Sequence, residues 1–82
     1  MGPDKAVSDT GKSRATDSHM TRREAQVLTW IAAGKSDWEI GQILNISAKT
    51  VNYHVEKAKR KFGVPTRIQA VLAAMRRGVI LE

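Results

Sequence analysis

The sequence contains no cysteine, which excludes disulfide staples and cysteine-ligated zinc or iron and fits a reducing cytoplasm. Its apolar runs fall far short of the roughly 18 residues that a membrane span requires, and the N-terminus has no apolar signal-peptide segment. A soluble, cytoplasmic chain with no membrane partner is expected. Period-2 apolar alternation is absent, so nothing favours a sheet, and no repeat recurs at solenoid spacing. No pair of catalytic groups is placed to converge, and His54 has neither a cysteine nor the other histidine, His19 in the N-terminal tail, near it in sequence to support a ligand set. No enzyme activity, no metal site and no cofactor is expected.

What the sequence does have is charge of one sign. The chain of 82 residues, 41% hydrophobic and 27% charged, carries a net charge of +6 with a pI near 10.2, a balance that favours polyanionic partners. Residues 1–19, "MGPDKAVSDTGKSRATDSH", hold too few apolar side chains to offset the cost of ordering. They are expected to form a disordered tail, a linker or a tag remnant. Their charges cancel, Lys5, Lys12 and Arg14 against Asp4, Asp9 and Asp17, so the whole excess lies in residues 20–82. Within the tail, "AVSDTGKS" formally satisfies the loosest phosphate-loop pattern. A working phosphate loop follows a buried strand and opens a helix, and neither surrounds this one.

Four helices are expected from residue 21 onward, each opened by a hydroxyl side chain able to accept the N–H groups that a helix start leaves unpaired. Thr21 with Glu24, Ser36 with Glu39 and Thr66 with Gln69 have capping-box spacing, and Ser47 supplies the remaining start. Gly34, Gly63, Gly78 and Pro65 supply the stops. The apolar spacing agrees. Val27, Leu28, Ile31 and Ala32 mark the first helix, and Ile40, Ile43 and Leu44 the second. Val51, Val55, Ala58 and Phe62 form a stripe in the third, and Ile68, Val71, Leu72 and Met75 one in the fourth. The fold class is all-α, with a tri-helical core and a C-terminal fourth helix.

The second and third helices meet across "NIS", residues 45–47. A helix-turn-helix needs a small residue where its helices cross, a turn residue tolerant of left-handed φ and an apolar residue after it, and Gly41, Asn45 and Ile46 fit those roles. The third helix, residues 47–62, carries Lys49, Lys57, Lys59, Arg60 and Lys61 against the single acid Glu56, a concentration suited to neutralising phosphates. With its apolar stripe turned inward, Lys49, Asn52, Tyr53, Glu56 and Arg60 occupy the opposite side. Asn pairs bidentately with adenine, Glu accepts from cytosine N4, and Tyr packs on a thymine methyl or bonds a phosphate. Asn52, Tyr53 and Glu56 are therefore the candidate base readers.

Residues 20–80, from "MTRREAQVLTWIAAGKSDWEIG" through "RIQAVLAAMRRGVI", resemble the LuxR-type (GerE-like) DNA-binding domain over its whole length. The matching positions include Thr21, Arg23, Glu24, Leu28, Gly34, Glu39, Ile40, Leu44, Ser47, Thr50, Val51, His54, Lys61, Arg67, Ala70 and Gly78. The resemblance implies a domain that regulates bacterial transcription, whose third helix reads double-stranded DNA and whose fourth helix, residues 66–78, pairs two subunits; the Ile68, Val71, Leu72 and Met75 stripe could cap the core, while the small-residue face makes Ala70, Val71 and Ala74 the candidate pairing residues. It places Asn52, Tyr53 and Glu56 at base-contacting positions. Lys49, Thr50, Lys57 and Lys61, joined by Ser47 and Arg60, fall on the DNA-backbone-contacting surface. An inverted repeat, a weak homodimer and a location at the bacterial nucleoid follow, with RNA polymerase as a further candidate partner. Gly41 replaces a usual Ala, and Glu56 occupies a position that is often basic. Trp30, "GKSDWEIG" and "RKFGV" look most like the quorum-sensing branch, whose members carry an N-terminal acyl-homoserine-lactone-binding domain. That domain has no counterpart in this chain, which reads as a fragment of a longer regulator or as a stand-alone short one.

Rival readings stay open at this stage. The chain could be a sigma region-4-like promoter binder, although the apolar fourth helix after Pro65 argues against it, or an interaction module that pairs with and inactivates a full-length regulator. His54 is expected to be a partly buried, hydrogen-bonded histidine. Trp30 and Trp38 are expected to pack between helices, with Trp38, off the apolar stripe, also a candidate exposed contact. Arg76 and Arg77 suit a helix end, where cations relieve the dipole.

Overall fold

The helix starts form at the expected hydroxyls. The structure, a computed structural model, describes residues 20–81; the readings made for residues 1–19, among them the tail, the phosphate-loop pattern and His19, lie outside them, as does Glu82. In α1 (Arg22–Ala32) the Thr21 hydroxyl oxygen accepts the Glu24 N–H at 3.1 Å while Glu24 Oε1 accepts the Thr21 N–H at 3.0 Å. Ser36 and Glu39 close the same reciprocal pair at the start of α2 (Asp37–Leu44). Ser47 caps α3 (Ala48–Phe62) by accepting the Thr50 N–H at 3.0 Å. The third capping box closes only halfway. At the start of α4 (Arg67–Arg76) Thr66 accepts the Gln69 N–H, but its hydroxyl also donates to Gln69 Oε1 at 2.8 Å, so that side chain does not return to the Thr66 backbone. Each cap contributes about 1 kcal/mol by pairing a donor the helix cannot.

After α3, Gly63 turns left-handed at φ +68° and the Val64 N–H reaches back to the Lys59 carbonyl at 3.0 Å. This closure pairs a carbonyl that would otherwise be orphaned.

Two apolar clusters fill the interior, and α3 contributes to both. Leu28 of α1, Ala58 of α3, Ala70, Val71 and Ala74 of α4 and the trailing Ile80 form one. Val27, Ile40, Val51 and Val55 form the other, with Trp30, Leu44 and Ile46 at its edge. Val51, Val55 and Ala58 are fully buried, so the third helix is held on one side by every other helix. Burial of each Val, Leu or Ile contributes roughly 1.5–3 kcal/mol.

The inward faces of α2 and α4 differ from the expected stripes. Ile43 is 45% exposed, leaving Ile40 and Leu44 as the apolar contacts of α2. In α4 the expected roles are exchanged. Ile68 and Leu72 point outward, 61% and 45% exposed, whereas Ala70, Val71, Ala73 and Ala74 are buried in the domain's own core. Small side chains let α4 approach α1 and α3 closely, and the bulky ones are left on the far side. Ala70, Val71 and Ala74 are therefore not a free pairing surface; the apolar face of α4 open to a partner carries Ile68 and Leu72.

Candidate nucleic-acid interface

The crossing of α2 over α3 decides which side of α3 faces out. Asn45 takes the left-handed conformation at φ 59° and ψ 47°, where a short polar side chain is tolerated. Gly41 lies where a Cβ would stand 2.5 Å from the Ile46 carbonyl oxygen, and its own carbonyl accepts the Ile46 N–H at 2.9 Å. The two backbones thus touch with no side chain between them. Val51, Val55 and Ala58 then pin α3 from beneath, and Lys49, Asn52, Tyr53 and Arg60 stand exposed on top.

The expected contact residues separate into two kinds. Lys49 and Arg60 are exposed and form no ion pair among the described residues. Lys57, Lys59 and Lys61 already hold carboxylates. Lys61 Nζ donates to Glu24 Oε1 at 2.7 Å and Lys57 Nζ lies 3.7 Å from Glu24 Oε2, while Lys59 pairs with Glu56 at 3.0 Å. Lys57 also sits over the Tyr53 ring, 5.5 Å from its centroid, a cation–π contact that steadies the exposed tyrosine. Thr50 is half-buried and Ser47 is exposed; the Ser47 hydroxyl donates to the Thr50 hydroxyl at 2.9 Å. Both hydroxyls lie at the α3 N-terminus, an end whose unpaired N–H groups attract phosphate.

Glu24 is the buried acid beneath this face, with its side chain fully sealed from solvent. Burial pushes its carboxyl pKa up, but the Lys61 hydrogen bond, the Thr21 N–H and the charges of Lys61 and Lys57 together outweigh burial and hold it below the ordinary 4.5. Lys61 is thus an internal counter-ion as well as a member of the cationic surface, because its ammonium closes α3 onto α1. Sequence spacing missed this pair, whose members lie far apart in the chain. A signal existed in the cation at position 61, within the last turn of α3, facing the same side as the core stripe at Ala58 and Phe62.

His54 is half-buried, as expected, but its Nδ1 has no hydrogen-bond partner, a departure from the hydrogen-bonded histidine that was expected. Its ring packs edge-on to Tyr53 at 5.5 Å. Burial lowers its pKa below 6.5; Glu24 opposes that, and the positive charges of Arg23 and Lys57 reinforce it. Trp30 packs at the core edge while Trp38 stays 67% exposed. Arg77 lies over the Phe62 ring at 5.3 Å, so its guanidinium also has a packing partner.

One participant stood in the sequence only as a position of family resemblance, with no role assigned. Arg67, the first residue of α4, grips the Asp37 carboxylate with both terminal nitrogens, Nη2 at 3.2 Å, and the same Nη2 donates to Asn52 Oδ1 at 3.2 Å. A cation in the first turn of a helix is opposed by the dipole, and that misplacement was the available sign that Arg67 answers to an acid elsewhere. No helix among the described residues is long and apolar enough to cross a membrane, and no acidic or histidine cluster there is grouped to hold a metal.

The model of the family described as bacterial regulatory proteins, luxR family (GerE), matches residues 18–74. The chain is similar to the transcriptional activator protein SolR of Ralstonia solanacearum, 46% identical over 61 residues that cover 74% of this chain and 26% of that protein. It is 36% identical to the transcriptional activator protein LuxR of Aliivibrio fischeri, over 82% of this chain and 27% of that one. The solved structure of the transcription factor GerE superposes with a TM-score of 0.74 at 34% identity, covering 76% of this chain and 92% of that one. The chain spans about a quarter of the length of these curated relatives. It belongs to the luxR family of bacterial regulatory proteins as a helix-turn-helix DNA-binding domain, a family of transcriptional regulators and not of enzymes.

Proposed function

We propose that this luxR-family domain binds a specific double-stranded site in the bacterial cytoplasm with α3 in the major groove, as the effector part of a quorum-sensing type of transcriptional regulator. The observation that carries this reading is the asymmetry of α3, with Val51, Val55 and Ala58 fully buried on one side and Lys49, Asn52, Tyr53 and Arg60 exposed on the other. In this reading Asn52, Tyr53 and Glu56 contact bases. Ser47, Lys49, Thr50, Lys57, Arg60 and Lys61 face the phosphates, with Lys49 and Arg60 contributing most because their charge is not shared with a carboxylate.

The exposed Ile68 and Leu72 on α4 support pairing with a second copy through that face. Two copies so joined would set their α3 helices about one DNA turn apart, roughly 34 Å, and select an inverted repeat. RNA polymerase is a further partner consistent with the activators among its relatives.

Selection from randomised duplexes, followed by affinity measurement across salt concentrations, tests this reading. Enrichment of an imperfect inverted repeat is expected, and Lys49→Ala or Arg60→Ala lowers the slope of log affinity against log salt by about 0.9 each. Absence of binding to any duplex at low ionic strength would end the proposal. Persistence of self-association alone would favour the interaction-module alternative.

A further inference from the structure

Arg67 joins the first residue of α4 to the first residue of α2 and to the recognition face. Its paired hydrogen bonds to Asp37 fix the plane of the guanidinium, since a two-pronged contact leaves little freedom to rotate. Asp37 also holds the guanidinium electrostatically: its hydrogen bonds raise the Arg67 pKa against burial, and the charges of Asp37 and Glu56 add to that. From that fixed position Nη2 reaches Asn52 Oδ1 at 3.2 Å.

A guanidinium carries donors only. An Asn amide beside it must therefore present its oxygen, because the NH2 group would set donor against donor. The amide's two edges diverge from one carbon, so turning Oδ1 toward α4 turns Nδ2 away from it. Asn52 is exposed on the α3 face that the proposed function lays against DNA. Recognition of adenine by Asn uses both edges at once, the oxygen accepting from N6 and the nitrogen donating to N7. The oxygen keeps a second lone pair, but with Oδ1 held toward α4 by Arg67 the edge left free to swing into the groove is the NH2, a donor. Guanine, with N7 and O6, and thymine, with O4, present the matching acceptors.

We infer that Arg67 is a positioning residue for base recognition: anchored by Asp37, it orients the Asn52 amide as a donor and so directs that residue to guanine or thymine instead of adenine. This rests on the proposed reading that Asn52 contacts bases. Arg67 acts through Asn52 and needs no contact with DNA of its own.

Selection from randomised duplexes by the unaltered protein, Asn52→Ala, Arg67→Met, Arg67→Lys and the Asn52→Ala/Arg67→Met double variant tests it, with thermal unfolding of each protein measured alongside. The position whose preference Asn52→Ala erases is expected to be guanine or thymine in the unaltered protein. Arg67→Met raises the adenine share at that position roughly fivefold or more, other positions staying unchanged. Arg67→Lys keeps the charge but loses the fork, so it shifts the same base while the salt slope of binding stays constant. In the double variant the position is as featureless as in Asn52→Ala alone. Adenine at that position in the unaltered protein overturns the inference without needing any Arg67 variant to fold. Unchanged preference in folded Arg67→Met and Arg67→Lys overturns it equally, while the reading of α3 as the DNA-binding helix survives both results. If Asn52→Ala erases no preference, or if the unaltered protein binds no duplex, the premise and the inference fall together.

Discussion

Replacing Lys61 by Met should destabilise the domain more than replacing its partner Glu24 by Gln, although each change removes one charge from the same pair. The asymmetry comes from burial. The Glu24 side chain is fully sealed, whereas Lys61 is 24% and Lys57 32% exposed. In Lys61→Met a carboxylate stays in the interior with the Thr21 N–H and a lysine 3.7 Å away. Breaking a buried pair in this way costs about 3–5 kcal/mol, and the remaining lysine places this case near the lower end. In Glu24→Gln the lysines extend into water and the amide oxygen still accepts the cap N–H, so the loss is one charge-assisted hydrogen bond, about 1–2 kcal/mol. The double variant should cost no more than Lys61→Met alone, a coupling of at least ~1 kcal/mol. A folded unit of this size has a total stability of about 3–9 kcal/mol, so the differences are large enough to read by urea unfolding followed through tryptophan fluorescence.

Acid adds a second signature. Glu24 titrates below 4.5 in the fold, so its contribution is complete above that pH and is lost as pH falls through the folded value. Without Lys61 the carboxyl takes its proton at higher pH, which relieves the buried charge, and the gap between Lys61→Met and the unaltered protein should close on acidification. A Glu24→Gln cost equal to or above that of Lys61→Met, strict additivity, or a gap independent of pH would refute this account of the cluster.

Three other outcomes follow from single residues. His54 has a folded pKa below 6.5, so stability present at neutral pH should decline as pH falls through that value, where the unfolded chain takes the proton more readily; His54→Leu should flatten melting temperature against pH between about 7 and 5. Leu72→Glu should weaken self-association in sedimentation while leaving stability within about 0.5 kcal/mol, whereas Ala74→Leu should overpack the core at about 1–3 kcal/mol; the reverse pattern would restore the alanine face as the pairing surface. Asn45→Ala should cost about 1–2 kcal/mol at its left-handed φ, and Asn45→Gly only a few tenths, in chemical denaturation.

Capping and turn chemistry made the order of elements readable in advance, because those signals are local. Thr21, Ser36 and Ser47 act on backbone N–H groups a few residues away, and Asn45 acts on its own backbone. The tilt of α4 was not readable, because Ile68/Leu72 and Ala70/Ala74 are both helical stripes and only the available distance to α1 and α3 chooses between them. Bulk misled there, as it did at Ile43. Charge misled differently. A count of cations on α3 treats Lys57, Lys59 and Lys61 as equivalent to Lys49 and Arg60, and only the positions of Glu24 and Glu56 reveal which are already engaged. Arg67 and Asp37 are separated by a whole helix-turn-helix, beyond the reach of any spacing rule.

Because α3, together with α1, lines both apolar clusters, the helix proposed to meet DNA is also a keystone of the scaffold. Its amides should exchange with solvent only when the entire domain opens. A signal that switched DNA binding off by melting this helix would have to destroy the domain itself. Control over such a unit would have to work from outside, by covering it, pairing it or setting its spacing, with its internal shape left intact.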